Sequence, residues 1–325
     1  VVVRKPRVVL TRRWPAEVEA ELAVRFEVVL NLADTPFDAD QLQRALHTAD
    51  ALCPTVTDRV DANVLAVPAP RARLIANYGV GFNHIDLNAA KALGIAVTNT
   101  PGVLTDATAD LALTLLLMAA RRAGEGEREI RAGRWGGWRP TQLLGTEVTG
   151  KTLGLIGFGR IAQAVAQRAH FGLRMKIMFQ TPRPPPRELV AQLNATACAS
   201  VEQLLAEADF VSLHCPGGAA TRHLINAERL ALMKPSALLI NTARGDVVDE
   251  AALAVALAER RIAGAGLDVY AAEPDVPAAL RDLENVVLLP HLGSATTATR
   301  IAMGRRVLAN LEAFFAGETP PDRVI

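Results

Sequence analysis

Arg244, Glu273 and His291 are the residues whose types and spacing could do chemistry together. Each follows an apolar run of strand length. Asn241-Thr242-Ala243-Arg244-Gly245 closes one such run. Gly266-Leu267-Asp268-Val269-Tyr270 closes the next and leads to Glu273-Pro274, and Val286 to Pro290 leads to His291-Leu292-Gly293-Ser294. In an open parallel sheet, ligands bind at the carboxyl ends of strands, so these three side chains are expected to converge on one crevice. A guanidinium can hold a carboxylate through two parallel hydrogen bonds and polarise a ketone beside it. An imidazole titrates near neutrality and can give or take a proton. A neighbouring carboxylate orients the ring and favours its charged form. The set suits reduction of a 2-oxo acid, in which hydride reaches the carbonyl carbon and the oxygen takes a proton. Spacing alone leaves each role open, because a lone arginine is usually a surface ion pair and a lone histidine usually structural.

Hydride chemistry needs a nicotinamide, and the sequence has a place for one. Gly157-Phe158-Gly159-Arg160-Ile161-Ala162 follows the apolar run Thr152 to Ile156 and opens a helical pattern. Gly157 would make the tight turn and Gly159 would let the backbone approach a pyrophosphate. Ala162 is small enough for helix and strand to pack closely. The helix start after Arg160 and Ile161 would offer free N–H groups to phosphate. The end of the following strand decides between cofactors, since an acid there holds ribose hydroxyls and repels a 2′-phosphate. This chain has Phe179-Gln180-Thr181-Pro182-Arg183, with no acid. Thr181 and Arg183 at that place favour NADP over NAD. The bland alternative is a solvated Arg183 and acceptance of NAD.

The elements that would carry these residues alternate between β-branched runs and helical spacing. Arg7–Leu10, Glu27–Leu30, Ala51–Cys53, Arg73–Asn77 and Ile95–Asn99 read as strands of a first α/β unit. Thr152–Ile156, Met175–Phe179, Phe210–Leu213, Ala237–Asn241, Ala265–Asp268 and Val286–Leu289 read as a second, dinucleotide-binding series. Thr105 to Arg122 reads as a helix between them, with Thr105 as its N-cap and Gly124 as its stop. Arg134 to Leu144, with Trp135 and Trp138, reads as a loop, and so does the proline run Thr181 to Pro186.

Composition narrows the classes. Lys plus Arg number 35 and Asp plus Glu 34 in 325 residues, so nothing in the charge balance favours nucleic acid or an anionic membrane as partner. The three cysteines, Cys53, Cys198 and Cys215, are widely spaced, which points away from a disulfide framework or zinc site and toward a reducing cytoplasm. The other histidines show no metal-ligand spacing, and no metal is expected. The N-terminal Val-Val-Val-Arg-Lys-Pro-Arg is too short an apolar run for a signal peptide. Leu111–Ala120 is roughly half a bilayer span, as expected of a core or interface helix.

Several long motifs, in order and nearly end to end, resemble the D-isomer-specific 2-hydroxyacid dehydrogenases, especially their glyoxylate and hydroxypyruvate reductase branch. They are Asn77-Tyr78-Gly79-Val80-Gly81-Phe82-Asn83-His84-Ile85-Asp86, Asn99-Thr100-Pro101-Gly102-Val103-Leu104-Thr105-Asp106, Gly157-Phe158-Gly159-Arg160-Ile161, Asn241-Thr242-Ala243-Arg244-Gly245, Gly264-Ala265-Gly266-Leu267-Asp268-Val269 and Pro290-His291-Leu292-Gly293-Ser294. The resemblance implies two doubly wound parallel-sheet domains. A Rossmann-type NAD(P)-binding domain, 102–290, is inserted into a flavodoxin-like substrate domain, 1–101 and 291–325. It implies that Arg244, Glu273 and His291 are catalytic, and that the backbone at Val80 and Gly81 joins Arg244 in gripping the substrate carboxylate. Thr105, Gly293 and Ser294 fall at positions beside the nicotinamide, Asp268 at the acid that contacts its carboxamide and Pro216 on the adenine and ribose side, and Thr242 is a further expected cofactor contact. A homodimer is implied, in which Trp138 of one subunit reaches the other's substrate site; a Trp138 that only seals the interface is the alternative. Two departures stand out: Ala162 where the family usually has glycine, and the proline-rich stretch after the second strand. Phosphoglycerate, D-lactate or phosphite as substrate, and a dinucleotide-sensing corepressor-like protein, are the competing expectations. Formate fits less well, because Glu273 stands where that branch carries an amide.

Overall fold

The computed structural model describes residues 4–325; the apolar start at 1–3, part of the signal-peptide argument, lies outside the described residues. The chain divides into two compact units, one running to Leu104 and resuming at Ala295–Ile325, the other Thr105–Ser294.

The first unit is a parallel sheet of β1 (Arg7–Leu10), β2 (Glu27–Leu30), β3 (Ala51–Cys53), β4 (Leu74–Ala76) and β5 (Ala96–Thr98). Its order is β2-β1-β3-β4-β5, the flavodoxin-like order. Val8, Leu10, Leu52, Leu74 and Ile75 are fully buried. Both sheet faces are therefore covered, which is why these strands read as continuous apolar runs and not as alternation. One covering helix, Ala39–Thr48, starts at a reciprocal cap in which the Asp38 side chain accepts from Gln41 N and the Gln41 side chain from Asp38 N.

The second unit contains β6 (Thr152–Ile156), β7 (Lys176–Gln180), β8 (Thr196–Ala197), β9 (Phe210–Leu213), β10 (Leu238–Asn241), β11 (Gly264–Leu267) and β12 (Val286–Leu288). The order β12-β11-β10-β9-β6-β7-β8 is parallel and doubly wound, and it reverses between β6 and β9. Leu153, Leu155, Val211, Leu239 and Ile240 form its buried centre. The two parallel-sheet α/β architectures expected from the sequence are thus the ones observed.

Three details differ. The second sheet has seven strands where six are expected, because β8 is two exposed residues long and carries no apolar signal. The helix Thr105–Ala120 contains Thr105 as its first residue, and Gly124 is not its stop. Arg122 adopts a left-handed φ of 51° and a second helix, Ala123–Arg131, contains the glycine. Residues His291 to Ser294 belong with the second unit, so its boundary lies at Ser294 and not before His291. The cause is local. His291 N donates to Asp268 O, Leu292 N and Gly293 N to the Asp268 carboxylate, and Thr108 Oγ1 to Gly293 O.

Candidate active site

The second unit brings the three ionisable residues together at the carboxyl ends of β10, β11 and β12. Asn241, buried at the end of β10, accepts from Ala243 N at 3.0 Å through Oδ1 and donates to Arg244 O at 2.9 Å through Nδ2. This fixes the turn that projects Arg244, whose Nη1 donates to Ala243 O at 2.6 Å. Gly245 follows at a point where a Cβ would fall 1.9 Å from Tyr270 C, so the turn lies directly on the backbone leading to Glu273. Tyr270 N donates to Glu273 Oε1 at 3.0 Å. Glu273 Oε2 meets His291 Nδ1 at 2.7 Å.

Since an ionised carboxylate only accepts, His291 Nδ1 carries hydrogen and Nε2 is the nitrogen left for proton exchange. His291 holds a left-handed φ of 54°, uncommon for a residue with a Cβ. The bonds from residues 291–293 to Asp268 over-determine that conformation.

The electrostatics follow from burial and neighbours. Burial raises the Glu273 pKa, but the hydrogen bond and charge of His291, Tyr270 N and the Arg244 charge outweigh it, and the carboxyl sits below its usual range. Burial pushes Asp268 the other way, up to about 6, against the pull of its two backbone donors and the His291 charge. Burial also lowers the Arg244 pKa, opposed by the charges of Glu273 and Asp246. A guanidinium so desolvated is stabilised by nearby negative charge, which Glu273 and Asp246 supply.

The glycine turn lies at the β6/β9 reversal. Gly157 has φ 84°, and a Cβ there would come within 2.8 Å of His214 O and Cys215 N. Gly159 caps the helix Arg160–Leu173 with no side-chain bond, and a Cβ there would meet only open space. Arg160 is exposed and Ile161 half-buried, while Ala162 is fully buried against the sheet. β7 ends at Gln180, with Thr181 half-buried and Arg183 exposed just beyond. Pro216 is exposed on the loop after β9. Thr242 Oγ1 is buried without a hydrogen-bond partner. An open helix N-terminus, the open space in front of Gly159 and an orphaned hydroxyl fit a dinucleotide. Thr105 and Ser294 are half-buried, and Gly293 is held between Asp268 and Thr108.

Val80 and Gly81 lie in the first unit, in the turn after β4, both half-buried. Trp138, in the long loop of the second unit, is 80% exposed. The parts that sequence reasoning missed are supports. Asn241, Tyr270 and Thr108 carry no charge, and only the position of Asn241 at a strand end marked it. Among the described residues, no group of His, Cys, Asp and Glu is arranged to hold a metal ion, and no helix is long and apolar enough to cross a membrane.

The family model of the D-isomer specific 2-hydroxyacid dehydrogenase NAD binding domain matches residues 113–293. A glyoxylate reductase of Thermococcus onnurineus is 45% identical over 325 residues, covering 98% of this chain and 96% of that protein. Among solved structures, the TT0316 protein of Thermus thermophilus superposes with a TM-score of 0.89 at 44% identity, covering 98% of this chain and all (100%) of that one. The NADPH-dependent glyoxylate/hydroxypyruvate reductase of Sinorhizobium meliloti, solved with NADP and malonate, gives 0.86 at 35% identity, covering 98% and 97%.

Proposed function

The chain belongs to the D-isomer specific 2-hydroxyacid dehydrogenases, and on that premise we propose that it reduces glyoxylate and hydroxypyruvate to glycolate and D-glycerate with NADPH. The observation that carries this reading is the 2.7 Å pair of His291 Nδ1 and Glu273, within the electrostatic reach of Arg244. Arg244 takes the substrate carboxylate through its fork and draws electron density from the adjacent ketone. The N–H groups of Val80 and Gly81 receive a carboxylate oxygen. His291, steadied by Glu273, passes the Nε2 proton to the carbonyl oxygen as that oxygen gains charge. In the oxidative direction the same nitrogen accepts the hydroxyl proton.

A nicotinamide dinucleotide, when bound, would provide the hydride for this reduction. Gly157, Gly159, Arg160 and Ile161 would hold its pyrophosphate at the open helix end, and Pro216 would border the adenine and ribose. Thr105, Thr242, Gly293 and Ser294 would line the nicotinamide side, with Asp268 fixing the backbone of Gly293. Thr181 and Arg183 would recognise the 2′-phosphate, since β7 ends without an acid; the NADPH-dependent relative from Sinorhizobium meliloti supports this choice. The units take the roles the family implies, the first binding substrate and the second the dinucleotide. The exposed Trp138 and Trp135 suit a homodimer in which the loop of one subunit reaches the substrate site of the other. Three free cysteines fit a reducing cytoplasm.

The test is a panel of glyoxylate, hydroxypyruvate, pyruvate and phosphonooxypyruvate with NADPH or NADH, followed by loss of reduced-nicotinamide absorbance. The expected ranking by kcat/KM puts the first two acids with NADPH on top. Cofactor binding without turnover of any acid would replace the enzyme with a dinucleotide sensor.

A further inference from the structure

The turn assigned above to the substrate carboxylate is main chain, and something must decide which of its polar groups faces outward. Asn77 directly follows β4 and Asn99 directly follows β5, strands paired with Ala76 opposite Thr98. Asn77 is fully buried. It spends both amide hydrogens on the turn, donating to Gly79 O at 3.0 Å and Gly81 O at 2.9 Å. Asn99 Nδ2 donates to Val80 O at 2.9 Å, and Thr100 N to Gly79 O at 3.1 Å. All three carbonyls are thereby drawn inward. Among the described residues, no backbone acceptor meets the N–H groups of Gly79, Val80 or Gly81. Successive N–H groups presented this way form a concavity for an anion.

His84 completes the arrangement. With both hydrogens of Asn77 committed, its Oδ1 is an acceptor, so His84 Nε2 at 3.1 Å carries hydrogen. That bond opposes rotation of the amide by half a turn, which would set Oδ1 against two carbonyl oxygens.

We propose that Asn77 and Asn99 are positioning residues for substrate capture: their amides hold the carbonyls of Gly79, Val80 and Gly81 inward so that the turn presents N–H groups to the carboxylate of a 2-oxo acid, with His84 locking Asn77. The proposal rests on the reading of this turn as the carboxylate grip.

The test uses the full-length protein saturated with NADP and labelled with ¹⁵N at valine and glycine. The probe is oxamate, an unreactive 2-oxo acid mimic. In the wild type, the Val80 and Gly81 amide resonances shift as oxamate is added. Asn77→Asp keeps the size but replaces a double donor with an acceptor. It should abolish those shifts and raise KM for glyoxylate roughly ten- to a hundredfold, with kcat within about threefold and NADPH affinity unchanged. Asn99→Ser, at a half-buried position, removes one bond and should raise KM about threefold or more, which keeps the test alive if Asn77→Asp does not fold. His84→Gln, which retains a donor, should keep KM near wild type, and His84→Leu should raise it. Wild-type KM and intact shifts in the asparagine variants, or a fall in kcat at constant KM, would overturn the positioning role while leaving the grip standing. Wild-type Val80 and Gly81 resonances that ignore oxamate would overturn both.

Discussion

Asn77 follows β4 and Asn241 closes β10, and each spends its side chain on the backbone just downstream. The turns they shape hand out different chemistry. After Asn77 come main-chain dipoles whose charge cannot change with pH. After Asn241 comes Arg244, a desolvated cation with Glu273 and the His291 pair nearby. In the proposed reading, capture needs groups that keep their sign while the reaction runs, and the amide dipoles and the Arg244 guanidinium both do. Proton transfer needs a side chain that can give and take a proton, the role proposed for His291. Both asparagines then serve capture in that reading, Asn77 through neutral main-chain donors and Asn241 through the Arg244 cation, and proton transfer is left to His291.

The contrast breaks first, if it breaks, at His291. His291→Ala should lower the turnover number about 10²–10⁴-fold while leaving KM for glyoxylate and NADPH binding close to wild type. That is the opposite signature to Asn77→Asp, and steady-state kinetics with a cofactor titration would distinguish them. A KM effect without a rate effect would place His291 with the dipoles.

Glu273→Gln should have a smaller effect, about tenfold in rate, and should flatten the loss of Tm on going from neutral to acid pH, read by thermal melts at several pH values. The folded pKa of Glu273 is depressed below its ordinary 4.5, so its stabilising contribution is present above that value and lost as pH falls through the folded pKa. At neutral pH it is ionised and accepts from His291 Nδ1.

The smallest effect is expected at the cofactor. Thr181→Asp should move the NADPH to NADH ratio of kcat/KM several-fold toward NADH, by placing a carboxylate at the end of β7. An unchanged ratio would remove the strand end from cofactor choice.

Much of this architecture is legible in the residues. β1 and β3 fall where apolar runs mark them, because a strand buried on both faces has little but apolar residues to show, and the half-buried edge strand β2 is marked by Val28, Val29 and Leu30. The pairing of Glu273 with His291 was legible from each residue following a strand of one parallel sheet. β8 was not, since two exposed residues bury nothing that a pattern could display. The break at Arg122 was hidden because a left-handed arginine carries no local signature, while Gly124 carries a false one. The work of Asn77, Asn99 and Asn241 was hidden for another reason. A neutral amide looks like any polar loop residue until its acceptors are known, and those are set by how the chain turns back on itself.

Gly245 has a consequence beyond its own position. With a Cβ there 1.9 Å from Tyr270 C and 2.2 Å from Ala271 N, the two segments meet main chain to main chain and leave no gap to adjust. The arginine-bearing loop and the glutamate-bearing loop are therefore packed directly on one another, and each sets the position of the other. A designer who moved one to another α/β scaffold without its companion would carry over the residues and lose their alignment.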